Sequence, residues 1–599
     1  MMRTLATTTL LAVLLLPGST RAQAASPEEL LPGGCQVYLR WDGWDAHKAA
    51  YAKTALGKTL AGDFGPFVSG VYNQIQEGLG ALLTVEQLLG GANPERLQQM
   101  AADAAEASKL LSLVGQKGFL VALEAKSLDV PDAQFFLVVP DLGDKSAPFL
   151  GSLRLLASLN KAPLKEVKVG NRTVTKIDVP GLTVAWWMEG KHGLFTFGTR
   201  PVEDLVKAFD AEKKDNRLAN APLFQRVSQY KGYETAARMF IDVASLTKLS
   251  EKRGDEVKKM LDDLGLTSMT DIVLYSGFDG DYERGLVEIT APGPRKGLLT
   301  LFRGQPFQLA DLPPLPPEVT TFSLSQFDAA AAWDLGVQLA ENVTRTIEPD
   351  AVKEIQAGIK AFNQAIGIDL RKDLLENLGD RMLMYNTPDE GPLTIGQVVA
   401  FKVKNGDKAR EAIESMIKGI ARTSGADVRL KKRTYRGVEV REVHVKQQGF
   451  SFTPTFTFHK DWLVVSLFPQ PVHGYILRAT GEIPAWKPDA RVAMALERLP
   501  KEYTSLSFSD PRPTIKQVLS IAPIITALAN SFAPEQFLDI STIPNAQEAT
   551  RHLFPSVSVT HDDGKVVRME SRAALSLPLD LAGVDTYGLF LLFAIGGRF

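Results

Sequence analysis

A unit that occurs twice constrains this chain more than any other feature. Residues that keep their place in both copies belong to the scaffold; residues that differ are where special chemistry would show. In the entry segment, Leu31-Pro32 leads through Cys35 and Tyr38 to Trp44-Asp45-Ala46. Leu315-Pro316 leads in the same way through Val319 and Phe322 to Phe327-Asp328-Ala329. A second segment keeps a constant offset of 263: Ala133–Val139 runs to Gly143-Asp144-Lys145, and Gly396–Lys402 runs to Gly406-Asp407-Lys408. Each copy reads as an apolar strand, a Gly-Asp turn and a helix that the Asp would cap. Further on, Gly193–Phe197 matches Trp462–Ser466, Phe240-Ile241-Asp242 matches Phe508-Ser509-Asp510, and Asp279-Gly280 matches Asp563-Gly564 as hairpin turns.

The repeat divides the chain into a first unit over 25–304, a Pro-rich linker over 305–317, and a second unit over 318–585. An apolar tail follows over 586–599. A length of 599 residues calls for two or more domains, and 45% hydrophobic with 23% charged residues is a globular composition. A net charge of −2 gives no reason to expect nucleic acid.

Residues 1–24 have the parts of a secretory signal: Arg3, the apolar run Leu10–Leu16, and Ala22-Gln23-Ala24 as a small-x-small cleavage site. Cleavage after Ala24 would place the protein in the periplasm or outside the cell. Cys35 is the only cysteine, so an internal disulfide is excluded. It aligns with Val319 and reads as a small buried strand residue. No segment reaches the length of a membrane span. The ending Gly597-Arg598-Phe599 resembles the close of an outer-membrane barrel strand, yet the body lacks the train of alternating strands that such a barrel needs.

Alternation marks half-buried antiparallel strands at Thr173–Val179, Val438–Val445, Phe450–Thr453 and Phe456–Phe458. Spacing near 3.6 marks three helix stripes. These are Leu97, Met100, Ala101, Ala104, Ala107, Leu110 and Leu111; then Val352, Ile355, Ile359, Phe362 and Ile366; then Ile515, Val518, Leu519, Ala522, Ile525 and Leu528. The fold class is α+β: two tandem related units, each a mainly antiparallel sheet with helices packed on one face.

Catalytic motifs are faint. The seven histidines (His47, His192, His444, His459, His473, His552, His561) form no HExxH pair, and a phosphate-binding loop and a GxSxG elbow are both missing. Ser245-Leu246-Thr247-Lys248 fits SxxK without a supporting KTG, and reads as an ordinary helix turn. Asp279, Asp281 and Glu283 are too few for a calcium loop. In His561-Asp562-Asp563, neighbours on a strand point to opposite faces and do not converge on one ion. No cofactor or metal is expected.

Two groups remain as candidate ligand or surface contacts. Arg429, Lys431, Lys432 and Arg433, with Arg436, form the clear basic run, and the first unit carries Lys161, Lys165 and Lys168 at the comparable place. Such a run is usually a solvated strand; its functional reading is contact with anionic lipid or wall polymer. Trp186, Trp187 and Trp462 on the closing strands would stack on a glycan or lipid if exposed, and pack a core if not.

Three segments carry a family resemblance. They are Tyr51–Lys58 after the Leu-Pro entry, the run Gly367–Asp380, and the strand and helix around Gly406-Asp407-Lys408. Through them the chain resembles a family of exported bacterial proteins known only as a domain of unknown function. The resemblance implies no activity, substrate, cofactor or catalytic residue. The sequence therefore describes an exported, non-catalytic envelope protein whose partner is an envelope protein, lipid or polymer. A carrier or sensor of a hydrophobic ligand and a hydrolase with an unrecognised site are the alternatives.

Overall fold

The computed structural model of the protein describes residues 26–70, 106–107, 109–127, 133–159, 163–211, 216–251, 254–302, 304–348, 351–391, 396–425, 427–447, 450–532 and 540–575. The signal-like segment, the tail over 586–599, Lys161, and Leu97, Met100, Ala101 and Ala104 of the first helix stripe lie outside them.

The fold is mixed helix and antiparallel sheet. The strands in chain order are β1 (Val37–Trp41), β2 (Phe119–Ala125), β3 (Ala133–Val139), β4 (Leu164–Val169), β5 (Arg172–Val179), β6 (Leu182–Glu189), β7 (His192–Gly198), β8 (Glu234–Asp242), β9 (Asp271–Asp279) and β10 (Tyr282–Thr290). They continue as β11 (Thr321–Gln326), β12 (Leu378–Asn386), β13 (Val398–Val403), β14 (Asp427–Tyr435), β15 (Val438–Gln447), β16 (Phe450–Phe452), β17 (Thr455–His459), β18 (Trp462–Ser466), β19 (Ser505–Ser509), β20 (Ser556–Asp562) and β21 (Val566–Ala573). All pair antiparallel in one continuous sheet. Read inward from one edge, the order is β4, β5, β6, β7, β3, β2, β1, β8, β9, β10. Read inward from the other, it is β14, β15, β17, β18, β13, β12, β11, β19, β20, β21, with the short β16 beside β15. The two runs meet at the β10–β21 ladder, from Glu283↔Ala573 to Thr290↔Val566.

Helices lie on both faces of the sheet, where the sequence suggested one. The reason is visible in the strands. Trp462 and Val464 of β18 pack with Val472, Tyr475 and Ile476 of helix Pro469–Ala479, while Leu463 between them packs with Ile413 and Ile417 of helix Gly406–Thr423. Neighbouring residues on a strand face opposite ways, so an uninterrupted apolar run needs cover on both sides. β3 repeats the pattern: Val138 joins the core under helix Val202–Ala211, and Val139 joins the one under helix Ser146–Leu159.

Several local expectations are refined. Asn405, not Asp407, caps helix Gly406–Thr423 by accepting from the Lys408 N–H at 3.1 Å. In the first half, Gly143–Lys145 is a 3-10 turn leading into the helix at Ser146. The third helix stripe is split. In helix Pro511–Phe532, Leu519 is buried, but Val518 and Leu528 face solvent. The apolar arc of that helix is wider than one buried face needs, so hydropathy alone did not select its seat. Phe362 of the second stripe and Leu111 of the first are also exposed. Cys35 is buried in the first core, as its alignment with Val319 implies. The Pro-rich linker is not a free spacer: Phe307 and Leu315 are core residues of the second half, and Arg478 Nε donates to the Pro314 carbonyl at 3.1 Å.

The junction of the two halves is charged. Arg284 and Arg572 stand directly opposite each other on β10 and β21. Asp279 holds both: Arg284 Nη1 lies 3.2 Å from its carboxylate and Arg572 Nη2 donates to the same oxygen. Glu570 adds a contact to Arg284 at 3.5 Å, and Arg572 stacks 4.9 Å over the Tyr282 ring. Burial, and then the facing Arg284, lower the pKa of Arg572. Four strand positions away, Arg568 stands opposite Glu288 at 2.9 Å and holds Asp563 at 3.0 Å, nearer to solvent.

Asp279→Asn removes the shared anion and leaves two enclosed guanidinium groups facing each other. The expected loss is about 2–3 kcal/mol, below the fully buried range because Asp279 itself is partly exposed. Asp563→Asn, at the exposed counterpart, is expected to cost about 1 kcal/mol or less. Urea-unfolding midpoints for the two variants measure the difference, and equal losses would contradict the asymmetry.

Candidate functional site

The basic run sits at a free edge of the sheet. β14 pairs with β15 alone among the described strands, and β4 at the opposite edge pairs with β5 alone. An open edge presents unpaired backbone N–H and C=O groups that invite another strand, and exposed cations on the edge oppose that pairing. Arg429, Lys431, Lys432 and Arg433 lie on β14, and Lys165 and Lys168 on β4; all are exposed. Most are already paired. Arg429 holds Asp427 at 2.8 Å, Lys432 holds Glu414 at 3.1 Å, Arg433 holds Glu442 at 3.2 Å and Arg436 holds Glu482 at 3.3 Å. Lys165 lies 3.2 Å from Asp178. An anionic lipid or polymer binding here would compete with these acids one by one.

The tryptophans are inside. Trp186, Trp187 and Trp462 are 2%, 1% and 7% exposed, so their rings are not offered to a ligand from solvent. Trp187 donates from Nε1 to Glu189 at 3.0 Å. Trp186, on the other face of β6, stacks near Phe195 and lines a cleft of about 340 Å³ that also touches Leu150, Arg154 and Thr175. At the mouth of this cleft, Arg172 is held by Glu189 at 2.6 Å and by Asp210 at 3.0 Å.

A second cleft, of about 380 Å³, is lined by Arg40, Asp42, Asp45, His47, Lys117 and Asp141, among others. His47 Nδ1 is 2.9 Å from Glu234, and its Nε2 is 3.6 Å from Asp42. Asp42 also holds Arg40 at 2.9 Å and Arg238, two arginines that face each other across β1 and β8. Tyr38 donates to Glu28 at 3.0 Å, and burial holds its hydroxyl far above the usual tyrosine range. Sequence reasoning singled out His47 only as one of seven histidines. Its partners lie up to 187 residues away, and only the β1–β8 register brings them together. A histidine within reach of a carboxylate can act as a base. The residues lining this cleft include no serine, threonine or cysteine.

The remaining motifs are structural. Ser245 of the SxxK match donates to Asp242 at 2.7 Å, and that carboxylate caps its helix through the Ser245 N–H. Asp279 and Asp281 point to different partners, Arg284 and Arg491. In His561-Asp562-Asp563, Asp562 pairs with Arg295, Asp563 with Arg568, and His561 Nδ1 lies 3.2 Å from the Glu502 carbonyl. Among the described residues, no three His, Cys, Asp or Glu side chains gather as a metal site. His473 stacks on Tyr435 at 4.2 Å, and burial lowers its pKa.

No family model matches the chain, and no curated protein matches it. Solved structures that resemble it include two crystal forms of TP0453. Form III is 11% identical with a TM-score of 0.24, covering 47% of this chain and 85% of that one. Form IV is 12% identical with a TM-score of 0.22, covering 45% and 81%. A superposition of that quality carries no argument about this protein.

Two expectations follow. Replacing Lys431 and Arg433 by Val removes cations from the β14 edge, and sedimentation at rising concentration should show larger species than for the unmodified protein. An unchanged distribution would end the edge-protection account. For His473, burial holds the folded-state pKa below that of the unfolded chain, so the unfolded state binds more protons as the pH falls below about 6.5. Its contribution is therefore complete above about pH 6.5 and is lost at lower pH. His473→Phe keeps the ring on Tyr435, and its unfolding midpoint should fall less between about pH 7.5 and about pH 5.5 than that of the unmodified chain.

Proposed function

We propose that this chain is an exported, non-catalytic envelope protein with a binding or structural role, built from two related α+β units whose sheets join edge to edge. Support for the two units comes from equivalent details. Tyr38 stacks on Phe240 at 5.3 Å, and Phe322 stacks on Phe508 at 5.2 Å. Arg284 holds Asp279 as Arg568 holds Asp563. At the offset of 284 shared by those pairs, Leu286 and Glu570 are equivalent, and they face each other at the centre of the junction. That is the self-complementary arrangement of a two-fold interface, here within one chain.

The observation that carries the functional reading is how the buried and half-buried charges are used. Asp42 and Asp279 each hold two facing arginines, Glu28 takes Tyr38 and Arg40, and Arg172 is held by two acids. Groups locked into such pairs hold a scaffold together. The signal-like N-terminus and the resemblance to an exported family of unknown function support the location. The hydrolase alternative retains one observation, His47 beside Glu234 in its cleft. The carrier alternative finds less support, because the two clefts described above mix polar and apolar surface in near-equal shares rather than offering an apolar lining.

The test is native mass spectrometry of the protein purified gently from its own envelope. The expected mass is that of Ala25–Phe599 with nothing that dissociates on denaturation. A dissociable adduct would favour the carrier, and a mass that includes residues 1–24 would refute signal cleavage. Hydrolysis of ester or peptide substrates that is abolished by His47→Ala would overturn the non-catalytic reading.

A further inference from the structure

We propose that helix Pro511–Phe532 is the surface through which this protein rests on an anionic lipid bilayer. Among its described large apolar side chains, four of six face outward. Leu519 and Thr526 are buried, and Ile515 and Ala522 are half-buried on the same face. On the opposite face Val518 is 55% exposed, Ile521 42%, Ile524 70% and Leu528 60%. The outward positions recur at three- and four-residue steps and so form one stripe along the helix. Apolar side chains scattered singly over a surface are ordinary; a continuous stripe marks a contact site.

The choice of occupant rests on size and charge. Four partly exposed side chains offer much less apolar surface than the about 800 Å² per partner of a stable protein interface. A second copy docked on this helix alone would be held weakly. A bilayer needs no matching shape, and accepts an apolar stripe laid in its interface. No described helix is long and apolar enough to cross a membrane, so the contact is a surface one. Residues 511–532 contain no Asp or Glu. Arg512 is held by Asp510, which leaves the exposed Lys516 near the N-terminal end as the cation facing solvent. One such cation adds modest attraction to an anionic leaflet.

The proposal deepens the envelope reading, which would give the protein access to lipid. Binding to vesicles in solution does not depend on export, so the two can fail separately. The mature chain is mixed with vesicles of phosphatidylethanolamine and phosphatidylglycerol, or of neutral phosphatidylcholine, and separated by flotation. The expected result is binding that falls roughly tenfold or more in I521S/I524S/L528S, because apolar burial dominates interfacial binding. Lys516→Glu should weaken binding to the anionic vesicles and leave neutral ones unchanged. All four side chains are exposed, so an unchanged thermal midpoint is expected and separates loss of binding from loss of fold. In a second measurement, a polarity-sensitive dye on I524C in a C35V background should report water before vesicles are added and lipid afterwards. Absence of vesicle binding, or equal binding by the triple variant, would overturn the proposal. So would a dye already shielded without lipid, which would mean that another segment of the chain or a second copy covers the helix; sedimentation then distinguishes those two.

Discussion

The Asp279 carboxylate between Arg284 and Arg572 is the contact on which the architecture turns. Two sheets meet at one ladder, and the residues that face each other at its end are like charges withdrawn from water. Without an anion between them, that pair would oppose the ladder. With it, the ladder closes, and nearby contacts then cross the same boundary. Arg491 reaches Asp281, and Ala55 of the first half enters the core of the second. Arginine suits this place because its guanidinium sheds water more readily than an ammonium and can stack on Tyr282 or Tyr233 while it pairs.

A continuous sheet with two ends also explains why lysine and arginine concentrate where they do. The interior strands pair on both sides, while β14 and β4 pair on one side only. The basic run on β14 and the lysines on β4 occupy those two strands. Read along the chain they suggest a binding patch; placed in the sheet they become protection against a further strand. The acids beside them, Asp427, Glu414 and Glu442, keep the run soluble without leaving a strong positive field.

The strands and their faces were legible from the sequence because a two-residue period survives in both halves. Tyr38 and Phe322 each point into a core, and the Asp-Gly turns at 279–280 and 563–564 fall between paired strands. What was not legible depends on partners far away in the chain. The sheet-to-sheet junction pairs residue 284 with 572, and the His47 cluster draws on 28, 42 and 234. The burial of the tryptophans depends on helices that reach both faces, which alternation cannot reveal when both faces are apolar. Helix Pro511–Phe532 fails for another reason: its apolar arc, from Ile515 and Leu519 round to Ile521 and Ile524, is wider than the face it buries, so the pattern does not say which part of the arc meets the core.

The two halves of the sheet share one strand order and differ in what fills matching positions. Arg40 opposite Arg238 in the first half corresponds in strand order to Leu324 opposite Leu506 in the second. On the reverse face the contrast is inverted. Leu39, Met239 and Leu274 form an apolar row across β1, β8 and β9, where β11, β19 and β20 carry Ser323, Ser507 and Ser558. The serines satisfy one another, with Ser323 and Ser507 at 3.1 Å and Ser325 and Ser505 at 2.8 Å. A hydroxyl lattice of this kind gains little from apolar cover. The strand that carries two of these serines, β19, leads directly into the helix whose apolar side faces outward. In this half the hydroxyls are paired within the sheet, while Ile515 at the start of that helix packs against the core on the other face, with Leu324, Leu506 and Phe508.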